Sequence, residues 1–164
     1  MMVHTPIPEG MVETYSYWGW PDEYPSWNWN GNEGKLMDVR VFSRSPLVRL
    51  ELNGKVIGEQ AIDTCTGITA SFKVPYEAGV LKAISIENGN EVAVKELKTT
   101  GAPAKVRLTA DRNVINASRN DLSYVKVEIT DQQGNVIPDA SVPVTFTVSG
   151  DGEIAGSRND SPTD

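Results

Sequence analysis

Apolar and polar residues alternate along most of this chain. From Leu47 to Leu52, Val48, Leu50 and Leu52 alternate with Arg49 and Glu51, so an extended segment presents one apolar edge and one charged edge. Asn53 and Gly54 follow, a pair suited to the two positive-φ positions of a type I′ turn, and the chain returns to Gly58, so Leu47 to Gly58 reads as a hairpin. Upstream, Leu36 to Ser43 sets Met37, Val39 and Val41 against Asp38 and Arg40. Downstream, Ile68, Ala70, Phe72 and Val74 alternate with Thr69, Ser71 and Lys73 and stop at Pro75. Gly79 opens a strand through Val80, Lys82, Ile84 and Ile86, Asn88 and Gly89 make a second hairpin turn, and Val92, Val94 and Leu97 close the set. About six or seven strands with no helical period predict a small sandwich of two antiparallel sheets.

The flanks are weaker. Residues 1–10 contain Pro6, Pro8 and Gly10 without periodicity and read as a connector. Met11 to Tyr17 is expected to add a short strand. Thr99 to Pro103 form a second connector, too short to let its neighbours wander far, and the alternation then restarts. Val106 and Leu108, then Val114 and Ile115, then Ser123, Val125, Val127 and Ile129, then Val142, Val144, Phe146 and Val148 predict strands, with a turn at Asp131 to Asn135 that uses Gly134. The expected fold is all-β, with two tandem immunoglobulin-like β-sandwich modules at 11–100 and 101–164. The second holds about four or five strands against the seven of a full immunoglobulin-type sandwich, so it is expected to be incomplete, with exposed sheet edges.

One segment breaks the pattern. Tyr15, Tyr17, Trp18, Trp20, Tyr24, Trp27 and Trp29 are punctuated by Gly19, Pro21 and Pro25, and all four tryptophans of the chain lie here. Two prolines argue against a central strand or a helix, so an irregular loop carrying the rings is expected. Indole faces stack on the C–H faces of pyranose rings, which makes Trp18, Trp20 and Tyr24 candidates for carbohydrate binding. The competing reading is a plug against the sandwich or a neighbouring domain. Trp27 and Trp29 lead straight into the first well-patterned strand and are assigned to packing between domains.

Composition narrows the function. The formal net charge is −7 and both halves about Thr100 are acidic, which argues against a nucleic-acid partner, since binding phosphates calls for a Lys/Arg patch. No apolar run approaches the roughly 20 residues of a membrane span, and no leader is visible, so a secretion signal is expected only in a longer precursor. Cys65 is the only cysteine, which excludes an internal disulfide and a thiolate zinc cluster; it is expected to be a small, at least half-buried residue. His4 is the only histidine and lies near an end where chains are usually loosely held, which argues against a histidine-based nucleophilic site. Asp22 and Glu23 are adjacent on a proline-flanked loop, unlike the rigid pair about 5 to 9.5 Å apart of a glycosidase. Turns at Asp111 to Asn113, Asp131 to Asn135 and Asn159 to Asp160 lack an EF-hand spacing, and turn chemistry accounts for them. Asn116 to Ser118 is a glycosylation triplet short enough to recur by chance. No phosphate loop and no cofactor site is visible.

The run Pro25, Ser26, Trp27, Asn28, Trp29, then Gly34 and Lys35, Val39 to Phe42, and Val48 to Gly58 resembles the domain that follows the catalytic barrel in bacterial glycoside hydrolase family 2 enzymes of the β-galactosidase type. Val74 to Glu77, Gly79 and Leu81 to Ala83 look like the same domain's later strands. Thr100, Gly101, Pro103, Leu108 to Arg112, Asp121, Leu122, Tyr124, Val125, Asp131, Gly134, Asn135 and Pro138 are similar to the immunoglobulin-like domain that comes next. Ser157 to Ser161 depart from the glycine-containing turn of that pattern. The resemblance implies a parent that cleaves β-linked sugars by a retaining mechanism with two glutamates on a barrel of about 250 residues. It implies that this stretch is a non-catalytic accessory region with that barrel as its partner, bracing it and contributing to substrate access, in a periplasmic or extracellular bacterial enzyme. The rival readings are a carbohydrate-binding module for oligo- or polysaccharide and an adhesin-like surface stalk.

Overall fold

A computed structural model describes residues 1–15, 17–63, 67–118 and 120–158. The strands run in the order β1 (Met2–His4), β2 (Glu23–Tyr24), β3 (Leu36–Phe42), β4 (Leu47–Leu52), β5 (Lys55–Ala61), β6 (Thr69–Pro75), β7 (Val80–Glu87), β8 (Asn90–Lys98), β9 (Lys105–Ala110) and β10 (Val125–Thr130), with no helix among the described residues. The first eight make two four-stranded antiparallel sheets, ordered β2-β1-β3-β6 and β5-β4-β7-β8. The last two pair with each other as a separate sheet. The all-β, tandem-module expectation is therefore met.

The core lies between the two four-stranded sheets, and the alternation explains its membership. Met37, Val39 and Val41 of β3, Val48, Leu50 and Leu52 of β4, and Ala70 and Val74 of β6 are buried together with Leu81, Ala83 and Leu97, while Phe72 packs against them. The intervening Asp38, Arg49 and Lys73 face out and form the cross-strand ion pairs Lys73–Asp38 and Arg49–Glu59. Both predicted hairpin turns are present: Asn53 and Gly54 have φ of 52° and 79°, and Asn88 and Gly89 have 49° and 78°. Asn53 also uses its side chain. Its Nδ2 donates to the Ala78 carbonyl and Glu77 Oε1, each at 3.1 Å, and its Oδ1 accepts from the Val80 amide at 2.9 Å, so the β4–β5 turn clamps the entry to β7.

Several boundaries differ from the sequence reading. Met2–His4, within the stretch read as a connector, pairs with both β2 and β3 and buries Val3 completely. Three residues are too few to show a period, but their backbone supplies the ladder that β3 would otherwise lack on that side. The described part of Met11 to Tyr17 forms no strand, because its side chains and backbone serve a loop. In the second unit Val114 and Ile115 lie in irregular, exposed backbone, and Val142 to Val148 alternate without a hydrogen-bonded partner strand among the described residues. Alternation marks a segment fit for a strand; pairing decides whether it becomes one. The predicted turn at Asp131 to Asn135 is present, with Gly134 at φ 87° and the Asp131 amide donating to the Asn135 carbonyl at 3.0 Å. Cys65, Asn159 and Asp160 lie outside the described residues.

Candidate functional site

The aromatic loop is mounted on the outer side of the β2-β1-β3-β6 sheet. Residues Glu13 and Tyr15 at its start and Pro21 and Glu23 at its end line a cleft of about 360 Å³ over β3 and β6, with Asp38 and Arg40 on its floor. Glu13 is the hub. It accepts the Tyr15 hydroxyl at 2.8 Å and lies 3.0 Å from His4 Nε2. The other imidazole nitrogen, Nδ1, is 2.7 Å from the Thr5 carbonyl. A carbonyl and a carboxylate only accept, so the doubly protonated ring satisfies both contacts. Burial opposes that charge, but the Thr5 carbonyl and the Glu13 carboxylate outweigh it and raise the His4 pKa above its ordinary value. The Tyr15 hydroxyl, with the Asp22 amide and His4, holds Glu13 below the usual carboxylate range. His4 is thus a half-buried anchor, not the loosely held residue its position suggested.

Across the cleft the Arg40 guanidinium pairs with Glu23, whose side chain is only 6% exposed. Glu23 is therefore engaged by Arg40. Beyond these feet the rings stand clear: Tyr17, Trp18 and Trp20 are 96%, 76% and 79% exposed, Tyr24 is also exposed, and Tyr17 meets Trp18 edge to face at 5.6 Å. Trp27 does the opposite. It is fully buried in the sandwich core, donates from Nε1 to the Glu77 carbonyl at 2.9 Å and packs edge-on to Tyr76 at 5.1 Å. Trp29 is partly buried against the same core and donates to the Ser26 carbonyl at 3.2 Å.

Between Trp27 and Trp29 lies a residue that the sequence reading did not single out. Asn28 is buried, and its side chain ties the two modules together. Its Nδ2 donates to Thr100 Oγ1 at 2.8 Å and to Asp139 Oδ1 at 2.9 Å, and its Oδ1 accepts from the Thr100 amide at 2.8 Å. Alongside, Thr99 Oγ1 donates to the Trp27 carbonyl at 2.7 Å, and the Gly101 amide donates to Asp131 Oδ2 at 3.1 Å. Asp131 also accepts from the backbone and side-chain nitrogens of Asn135 at 2.8 and 3.0 Å, and the Asn135 bond leads the interactions that depress its pKa. Its oxygens are thereby taken up by Asn135 within the turn and by the Gly101 amide from the connector. Asp111 likewise accepts from Ser123 and Tyr124, and Asn116 donates to Asp121. No group of three metal-ligating residues is present among the described residues. No helix of the described chain is long and apolar enough to cross a membrane.

Comparison with known proteins agrees with this architecture. Residues 106–164 match glycoside hydrolase family 2 C-terminal domain 5, and residues 34–93 match a domain of unknown function, DUF4982. A β-galactosidase of Bacteroides ovatus is 40% identical over 140 residues, covering 85% of this chain and 16% of that protein. A β-glucuronidase of Formosa agariphila is 28% identical over 134 residues, covering 80% of this chain and 14% of the relative. Among solved structures, a glycosyl hydrolase family 2 member from Bacteroides cellulosilyticus superposes with a TM-score of 0.75 at 39% identity, over 82% of this chain and 18% of that one. The chain is a non-catalytic accessory region made of C-terminal domains of glycoside hydrolase family 2. It spans less than a fifth of the length of these relatives.

Proposed function

We propose that the chain acts as a stiff strut of a family 2 β-galactosidase, bracing the catalytic barrel and fixing the direction in which the second module projects. The observation that carries the proposal is the Asn28 tie, in which one buried amide engages both Thr100 of the connector and Asp139 of the second module. A flexible tether would need no such knot; a brace does. The proposed modules are 1–100, with β1 included, and 101–164. The β-galactosidase assignment of the parent follows its 40% identical relative, which carries that name. The same proposal puts the parent in the periplasm or outside a bacterial cell.

The test uses the parent enzyme with Asn28→Ala. Its thermal inactivation on a chromogenic galactoside is expected to come several degrees earlier, while kcat at low temperature stays within about twofold, because no reacting group is touched. Unchanged inactivation would count against bracing. Fractionation of the producing cell checks the location.

A further inference from the structure

We propose that the aromatic loop and the cleft between its feet form a binding subsite for a neutral oligosaccharide. Three features of the same place converge. First, the rings are displayed and not stored: Tyr17, Trp18 and Trp20 stay in water although Trp27, a few residues on, is fully buried. Leaving such rings uncovered forgoes the stabilisation that burying their apolar area would bring. Second, the loop is pinned upright at both feet. Glu13 holds Tyr15 on one side, and the Thr5 amide donates to the Asp22 carbonyl at 2.8 Å on the other. The two ends of the loop are thereby fixed before any ligand arrives, which lowers the ordering cost of binding.

Third, the cleft chemistry selects the ligand class. Each carboxylate lining the cleft faces a basic side chain, Glu13 the His4 imidazole, Glu23 the Arg40 guanidinium and Asp38 the Lys73 ammonium, so among the described residues none stands alone to recruit an ion. What remains is a set of planar edges, carboxylate and guanidinium, lined also by the rings of Tyr15 and Phe72, with Trp18 and Trp20 farther out on the same loop. Vicinal hydroxyls both donate and accept and fit such edges, while the C–H face of a sugar ring covers an indole. The cleft volume of about 360 Å³ falls at the small end of ligand sites, enough for a short stretch of a longer glycan whose remainder lies along the rings.

The subsite is independent of the bracing role, so its failure leaves the strut intact. The test titrates the full chain with lactose, β-1,4-galactotetraose, cellotetraose and xylotetraose, following tryptophan emission, with tetragalacturonate as the charged comparison. At least one neutral sugar is expected to give a saturable shift with a Kd at or below about 1 mM. Trp18→Ala combined with Trp20→Ala is expected to weaken that binding at least tenfold with the circular dichroism spectrum unchanged, whereas Tyr124→Ala, an exposed ring on the other module, leaves it as it was. Silence with all four neutral sugars, equal binding by the double variant, or equal binding of tetragalacturonate would each overturn the proposal. So would acrylamide failing to reach Trp18 and Trp20 in the whole parent enzyme, since a neighbouring domain would then cover the rings.

Discussion

The Asn28 tie makes a sharp quantitative demand. Truncation by Asn28→Ala removes three side-chain hydrogen bonds of 2.8, 2.9 and 2.8 Å and leaves the Thr100 amide and Asp139 without this partner. Each such bond contributes about 0.5 to 1.5 kcal/mol net, and the joint is only partly shielded from water, so the sum is about 2 to 3 kcal/mol. At about 2 to 4 °C per kcal/mol for a chain of this size, the melting temperature should fall by about 4 to 12 °C. The effect should also have a shape. With the knot gone, small-angle scattering should show a broader spread of distances between modules, while the near-ultraviolet dichroism of the buried Trp27 stays put. Asn30→Ala is the matched comparison, since Asn30 borders the same gap between modules but is exposed and should cost less than about 0.5 kcal/mol. If Asn28→Ala melted and scattered like Asn30→Ala, the two modules would not be held by this residue and the strut would lose its basis.

Other perturbations read different parts of the molecule. Gly79→Ala would place a Cβ within 1.8 Å of Asn53 Oδ1 at a φ of +142°, and should lower the urea midpoint by the equivalent of about 1 to 3 kcal/mol. Trp27→Ala should cost about 3 to 5 kcal/mol in the same assay, whereas Trp18→Ala, on an exposed ring, should stay within about 0.5 kcal/mol. The His4–Glu13 anchor should depend on pH from both sides. Because the His4 pKa is raised, its contribution is fully present below the ordinary imidazole value of about 6.5 and lost as the pH climbs through the higher folded value. Because the Glu13 pKa is lowered, its own contribution is present above about 4.3 and lost as the pH falls through the folded value. Proton NMR of the single histidine should follow the upper limb, and His4→Gln should abolish it.

What the sequence revealed was whatever repeats locally. The alternation from Leu36 to Leu97 named most of the buried positions, and the Asn-Gly pairs named both hairpin turns, because side-chain direction in a strand and the sign of φ in a tight turn are decided within a few residues. Trp18 and Trp20 stand outward on the proline-flanked loop, whereas Trp27, assigned to packing between domains, is buried in the core of the first sandwich itself. The reading failed where a strand depends on its partner. Val3 is buried because β3 has an open flank beside it, and nothing within Met2–His4 announces that. Val142 to Val148 show the opposite error, a well-patterned segment without a partner strand among the described residues.

The joint was hidden for a stronger reason. Asn28, Thr100 and Asp139 are separated by 72 and 111 positions of chain, and each taken alone is an ordinary loop residue. Their meeting requires the sandwich to close first, so that the start of β3's approach and the exit of β8 emerge side by side; only then does a buried amide find a connector amide, a hydroxyl and a carboxylate together. Polar knots of this kind have no period, and they cost stability unless every member is satisfied, so they form where geometry has already made satisfaction possible. In an accessory region this is where specificity of arrangement should reside: hydrophobic alternation builds each module, and a few buried hydrogen bonds decide how one module stands on the next.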